Sequence, residues 1–361
     1  MDETSKGCTH VRRNEEDQSS RSDRPKWLPS PRVLVGLVIL VAVLFFAFHA
    51  SSISHEAGTV LRHFKVTRLP WLLVAFAAEG LSFLCYAFVQ HGLLVEGGAR
   101  ILRRDMVSLA IAATGLTNLL PGGTAPSSGW LVAQYRKRDI PAPLALWAVL
   151  AGGVAATVSV LLLTLVGAAI AGLLPALWIV VCSLTLVAGT VGFIAGARHL
   201  DTVDHWFRAH HHGRSDRLIA KISKGIGDAS KYRAPPALGA RVLLLSVGNW
   251  GLDVACLVAA FPLLNLAVPW RTVLFAYAFA QIAGSLAPVP GGIGFVEGSM
   301  VGAFALAGTP VGGALLATIL YRLITSVGMA GVGSIMLWHL SRKKSTPQAI
   351  LTPHAAAHDD G

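Results

Sequence analysis

Charge is scarce in this chain. Asp, Glu, Lys and Arg make up 14% of its 361 residues, where a soluble globular domain carries about a quarter. With 53% apolar residues beside it, that shortage excludes an ordinary soluble domain and points to an all-α polytopic membrane protein. Cysteine is sparse too: Cys8 lies in a polar tail, and Cys85, Cys182 and Cys256 lie inside hydrophobic runs. None has ligand spacing, so neither a disulfide framework nor a zinc site is expected. Also missing are H-E-x-x-H, G-x-S-x-G, paired aspartates at useful spacing and a nucleotide-binding G-x-x-x-x-G-K-[ST] loop. The chain is therefore not expected to be an enzyme, to hold a cofactor or to hydrolyse ATP. The formal net charge is +11, yet the Lys and Arg fall almost entirely between hydrophobic runs. That is the distribution the positive-inside rule produces, and no nucleic-acid partner is expected.

What the chain has instead is a break, QIAGSLAPVPGGIGFVEG at 281–298, inside an otherwise apolar region. Pro288, Pro290, Gly291, Gly292 and Gly294 interrupt any helix there, and a carboxylate, Glu297, follows. Backbone without helical hydrogen bonds survives at membrane depth only when buried in protein or lining a wet cavity. A quieter copy, NLLPGGTAPSSG, occupies 118–129. Short, Gly/Pro-interrupted segments at matching places in two halves point to a transporter's binding site.

Residues 1–30 mix charge, Ser and Pro and read as a disordered cytoplasmic tail. Full spans are expected at about 33–53, 69–91, 144–172, 174–195, 241–264 and 311–340. The first is longer than a signal h-region and has no A-x-A site behind it, so it reads as a retained anchor. Two further apolar pieces, 106–120 and 271–287, fall short. About 15 residues give roughly 22 Å of helix, against a hydrocarbon core of roughly 30 Å. Arg136, Lys137 and Arg138 follow the first break so closely that charge favours a hairpin returning to the cytoplasm. The expected fold is six full spans plus two re-entrant helical hairpins in an inverted repeat, with both termini cytoplasmic in the cell membrane. If both short pieces cross, there are eight or more spans. The transmembrane domain is placed at 31–340, with halves at about 69–197 and 241–340 and a disordered tail at 341–361. The connecting loop 198–240 carries Arg208, Arg214, Lys221, Lys224 and Arg233. It reads as solvated surface, with attraction to anionic head groups as the alternative. His205, His210, His211 and His212 lie in the same loop without the patterned partners a metal needs.

Polar residues inside the spans are few and patterned. Glu79, Ser82, Tyr86 and Gln90 share one face of the span 69–91. Ser246, Asn249 and Asp253 share a face of 241–264, and 311–340 carries Tyr321 and Arg322. Glu79, Asp253 and Arg322 each lie roughly 15–18 Å along their helices. A charge near the midplane costs about 2.5–3.5 kcal/mol unless partnered or wet. Two readings stay open. Either these residues line a polar cavity with Arg322 facing a phosphate, or Arg322 makes a structural ion pair with Asp253 or Glu297. Glu297 itself is placed either to complement the start of the returning helix or to touch substrate. The candidate substrate-binding residues are thus Glu79, Asn249, Asp253, Glu297, Tyr321 and Arg322, with Asn118, Gly122, Gly123, Gly291 and Gly292 in the breaks.

The run PGGIGFVEG at 290–298, with Tyr321-Arg322 downstream, resembles the flippase-like transmembrane domain of lysylphosphatidylglycerol synthases. LPGGTAPSSG at 120–129, with Tyr135-Arg136, is similar to that family's first break, and the resemblance covers about 30–340. Many members carry an acidic-Arg motif on the next helix; the matching stretch here, 147–153, has no charge. No counterpart of the soluble aminoacyl-transferase domain is found, so lysine transfer to lipid is not expected. The resemblance implies movement of a lipid or lipid-linked sugar between leaflets, with membrane lipids as partners. The alternatives are a membrane-embedded enzyme or accessory acting on lipid-linked sugars, and an ion or small-solute transporter.

Overall fold

A computed structural model describes residues 68–197, 235–287 and 289–342, together with positions 33, 36, 40 and 232. The tails, nearly all of the span expected at 33–53, most of the loop 198–240 and Pro288 lie outside the described residues. Nine helices and no strand are present among the described residues. They are α1 (Leu69–Glu96), α2 (Arg103–Leu119), α3 (Thr124–Arg136), α4 (Ala142–Ile170), α5 (Ala176–Ala197), α6 (Pro236–Leu263), α7 (Val273–Leu286), α8 (Phe295–Leu306) and α9 (Val311–Arg342). Of these, α1, α4, α6 and α9 are long and apolar enough to cross a membrane. Proline starts several of them, at a position where its missing N–H costs nothing. Proline stands in the first turn of α1, α4 and α6, the last beginning at Pro236. The sequence placed that span five residues later, because the basic loop masks where the helix begins.

The side chains are sorted inside out. The two core clusters are rich in alanine, with Ala87, Ala110 and Ala112 in one and Ala260, Ala276 and Ala278 in the other. Large apolar residues such as Leu73, Phe76, Leu286 and Leu306 point outward, the last 94% exposed. Helices that pack in lipid gain nothing from hiding leucine, whereas small residues let backbones approach. The closest approach is between α2 and α9. A Cβ placed on Gly115 would lie 2.6 Å from the Cα of Gly333, so neither position has room for a side chain.

The order long helix, short helix, break, short helix, long helix occurs twice, as α1–α4 and as α6–α9. The two lead helices run antiparallel along their whole length. Arg68 Nη1 donates to the Pro262 carbonyl at 2.9 Å, Ser82 Oγ donates to the Asn249 carbonyl at 2.9 Å, and Gly92 lies against Leu238. The first short helix of each half then packs on the long helix that ends the other half. Gly115 of α2 meets Gly333 of α9, and Gly167 of α4 meets the backbone of Phe275 in α7. This exchange of partners brings the two breaks into the middle of the fold.

Candidate functional site

The second break is built from three glycines that a side chain would strain. Gly291, Gly292 and Gly294 have φ of 59°, 67° and 84°, left-handed values that favour glycine. They turn the chain from α7 through a single tight turn, Pro290–Gly292, into α8. Glu297 then reaches back: its Oε2 accepts the Gly294 N–H at 2.6 Å. Its other oxygen, Oε1, accepts Arg322 Nε at 2.6 Å, with both side chains buried. The same guanidinium donates through Nη2 to the Gly291 carbonyl. One acid and one base thus close the break, and their charges cancel. Directly after Arg322, α9 loosens into a π-turn at Leu323–Gly328, a distortion common near functional sites.

The first break has the same shape without the charge. Leu120 is extended, Gly122 has φ 58°, and Gly123 packs on the backbone of Thr117, where a Cβ would lie 2.0 Å from the carbonyl oxygen. Hydroxyls stitch it together: Thr117 Oγ1 donates to Ser127 Oγ at 2.7 Å, which donates to the Thr124 carbonyl at 3.0 Å. No acidic residue stands in the first turn of α3, and no side chain caps it. Pro121, Gly122 and Thr124 are exposed. The two breaks touch, since a Cβ on Gly291 would sit 3.3 Å from the Asn118 carbonyl oxygen.

A third group lies where α1, α6, α7 and α9 meet. Asp253 Oδ2 accepts three hydrogen bonds, from Tyr277 Oη at 2.6 Å, Tyr321 Oη at 3.1 Å and Gln281 Nε2 at 3.3 Å. Gln281 Nε2 also donates to Tyr321 Oη at 3.2 Å. From α1, the buried Glu79 carboxyl lies close enough to Asp253 for their charges to interact. One turn away, Asn249 Oδ1 accepts Ser82 Oγ at 3.3 Å. Outside the membrane-crossing helices, Arg138 follows α3 and is tied to Gln134. Burial lowers its guanidinium from the ordinary range, while Asp105 and Tyr135 push it back up.

The sequence candidates therefore fall into two linked clusters. Gly291, Gly292, Glu297 and Arg322 close the second break against Asn118 of the first, and Glu79, Asp253 and Tyr321 form the carboxyl cluster, with Asn249 a turn away. Tyr321 and Arg322, adjacent in sequence, join the two. Gly122 and Gly123 shape the first break, and nothing lies within 4 Å of a Cβ placed on Gly122. Of the partners open to Arg322, the structure has Glu297. Tyr277 and Gln281 were not singled out from sequence, because they sit in an apolar run; their spacing of four, which puts both on one helical face, was the signal available. Tyr135-Arg136 does not match Tyr321-Arg322 in place. It ends α3 with Arg136 exposed, whereas Tyr321-Arg322 is buried within α9. Among the described residues, no group of three or more His, Cys, Asp or Glu is placed to hold a metal ion.

Comparison with known proteins places the chain among membrane proteins. A UPF0104 membrane protein of Methanothermobacter thermautotrophicus is 30% identical over 95 residues, which cover 26% of this chain and 28% of the relative. The chain thus spans little more than a quarter of that relative's length. The family model described as the lysylphosphatidylglycerol synthase TM region matches residues 33–333, both breaks and both carboxyl-bearing helices included. The chain belongs to the lysylphosphatidylglycerol synthase TM region family.

Proposed function

We propose that this protein moves a lipid or lipid-linked amphiphile with an anionic head group between the leaflets of the cell membrane, without hydrolysing ATP. The observation that carries the reading is the meeting of the two breaks, Gly291 against Asn118, at the ends of helices too short to cross. Transporter sites form where such discontinuous helices face each other. In this reading the halves are an inverted repeat headed by the antiparallel α1 and α6. The pairs α2–α3 and α7–α8 are then re-entrant hairpins entering from opposite sides, among six full spans with both termini cytoplasmic. A family described by the membrane region of a lipid synthase supports lipid as the cargo.

The two breaks take different parts. At the second, the start of α8 is occupied by Glu297 and balanced by Arg322. At the first, the start of α3 has neither acid nor side-chain cap, so its partial positive charge is unanswered by any side chain and suits a phosphate. The exposed Pro121, Gly122 and Thr124 admit a head group there, while the leucine-rich outer faces leave acyl chains in lipid. Attraction of anionic lipid to the basic loop 198–240 belongs to the same proposal. Thr124→Glu tests it. A carboxylate there suits the helix dipole, so the variant should be at least as stable as the parent. It should nevertheless lose most lipid movement between leaflets in reconstituted vesicles, because the acid competes for the anion's place. Unchanged movement in Thr124→Glu removes the first break from the site.

A further inference from the structure

We propose that Glu79 and Asp253 hold a single proton between them, and that this pair is the site through which a proton gradient drives transport. The inference rests on the transport reading above. Glu79 and Asp253 each lie one turn from the Ser82–Asn249 contact that joins the antiparallel α1 and α6, on the same side of it, and each leaves one buried oxygen without a partner, Glu79 Oε2 and Asp253 Oδ1. Ionised carboxyls only accept hydrogen bonds, so two of them side by side repel, and burial further disfavours the charged form. A proton on Glu79 donated to Asp253 satisfies both. Asp253 is the acceptor because its Oδ2 already receives Tyr277, Tyr321 and Gln281, donors that favour the anion.

Among the described residues, no cation does the same work. Arg322 is near enough for its charge to reach Asp253, but its hydrogen bonds go to Glu297 and Gly291. The other titratable groups facing the pair are Tyr277 from α7, Tyr321 from α9 and Cys256 from α6. The segment α4 contributes no titratable residue. Counted together, Glu79, Asp253 and Glu297 face one guanidinium at membrane depth, and a bound proton removes one of the surplus charges. When that proton leaves to water, two anions remain on the helices that head the two halves. Their repulsion opens the α1–α6 seam, and Tyr321 carries the change to Arg322 and the second break. A purely structural pair would have no use for an acid at 79, since glutamine donates as well.

Two measurements test this. Infrared spectra of the detergent-solubilised protein at neutral pH should contain a protonated-carboxyl C=O stretch. Glu79→Gln should remove that band, and Asp253→Asn should shift it, because the acceptor changes while Glu79 keeps the proton. A wild-type spectrum without the band, or a band unchanged in Glu79→Gln and Asp253→Asn, overturns the shared proton. In vesicles of the wild-type protein, one pH unit of imposed gradient should drive up to about tenfold lipid accumulation in one leaflet per proton moved. Lipid movement that ignores the pH gradient, or follows a sodium gradient instead, overturns the coupling and leaves the transport reading standing. No lipid movement under any gradient overturns the transport reading, and the infrared result still decides the proton.

Discussion

Glu297 ties two elements together with one side chain. Its two oxygens serve the start of α8 and the guanidinium of α9, and both charges are buried. Removing one member of such a pair leaves the other uncompensated, which costs about 3–5 kcal/mol. Arg322→Gln is therefore expected to lower stability by about that amount, measured by unfolding in detergent. Adding Glu297→Gln should restore most of the loss, and adding Asp253→Asn should restore less. Greater rescue by Asp253→Asn than by Glu297→Gln would mean that the ion pair is drawn to the wrong acid. The sequence left Arg322 with two possible acids, because helical depth alone does not separate Asp253 from Glu297. What separates them is the left-handed turn at Gly291, Gly292 and Gly294, which swings Glu297 under Arg322. The hydroxyls of Tyr277 and Tyr321 then meet the need of Asp253.

At the level of elements, the breaks were legible because Pro-Gly-Gly cannot continue a helix and because α2 and α7 are visibly short. Their lengths, 17 and 14 residues, lie close to those read from hydropathy. The π-turn after Arg322 was not legible, since Leu323–Gly328 has no proline and its residues suit an ordinary helix. Nor was the swap of partners between halves. Gly115 and Gly333 look like any membrane glycine until they are seen in contact. That swap brings Asn118 to Gly291 and packs Ile293 on the core of the first half. In a background lacking the native cysteines, Asn118→Cys with Ile293→Cys should be joined efficiently by a short bifunctional reagent. Joining the two breaks should also stop lipid movement, and release by reduction of a cleavable reagent should restore it. Efficient joining with undiminished movement would show that the breaks do not part during transport.

Across the whole molecule, the chain spends its few charges in two ways. Lys and Arg lie mostly between or at the ends of the apolar runs, and Glu79, Glu297 and Arg322 are buried within the fold beside Asp253, where a charge needs a partner. Among the described residues, exposed leucine, valine and phenylalanine line α1, α4, α7 and α8. In the proposed function a lipid keeps its chains against such a surface while only the head group meets the breaks. The most direct measurement is leaflet exchange by the wild-type protein in vesicles carrying a fluorescent lipid, followed with a membrane-impermeant quencher. The predicted result is faster exchange than in empty vesicles for at least one phospholipid or polyprenyl-phosphate lipid, while a trapped water-soluble dye stays inside. The contradicting result is exchange no faster than in empty vesicles for every lipid tried, with folded protein and with proton gradients of either direction supplied.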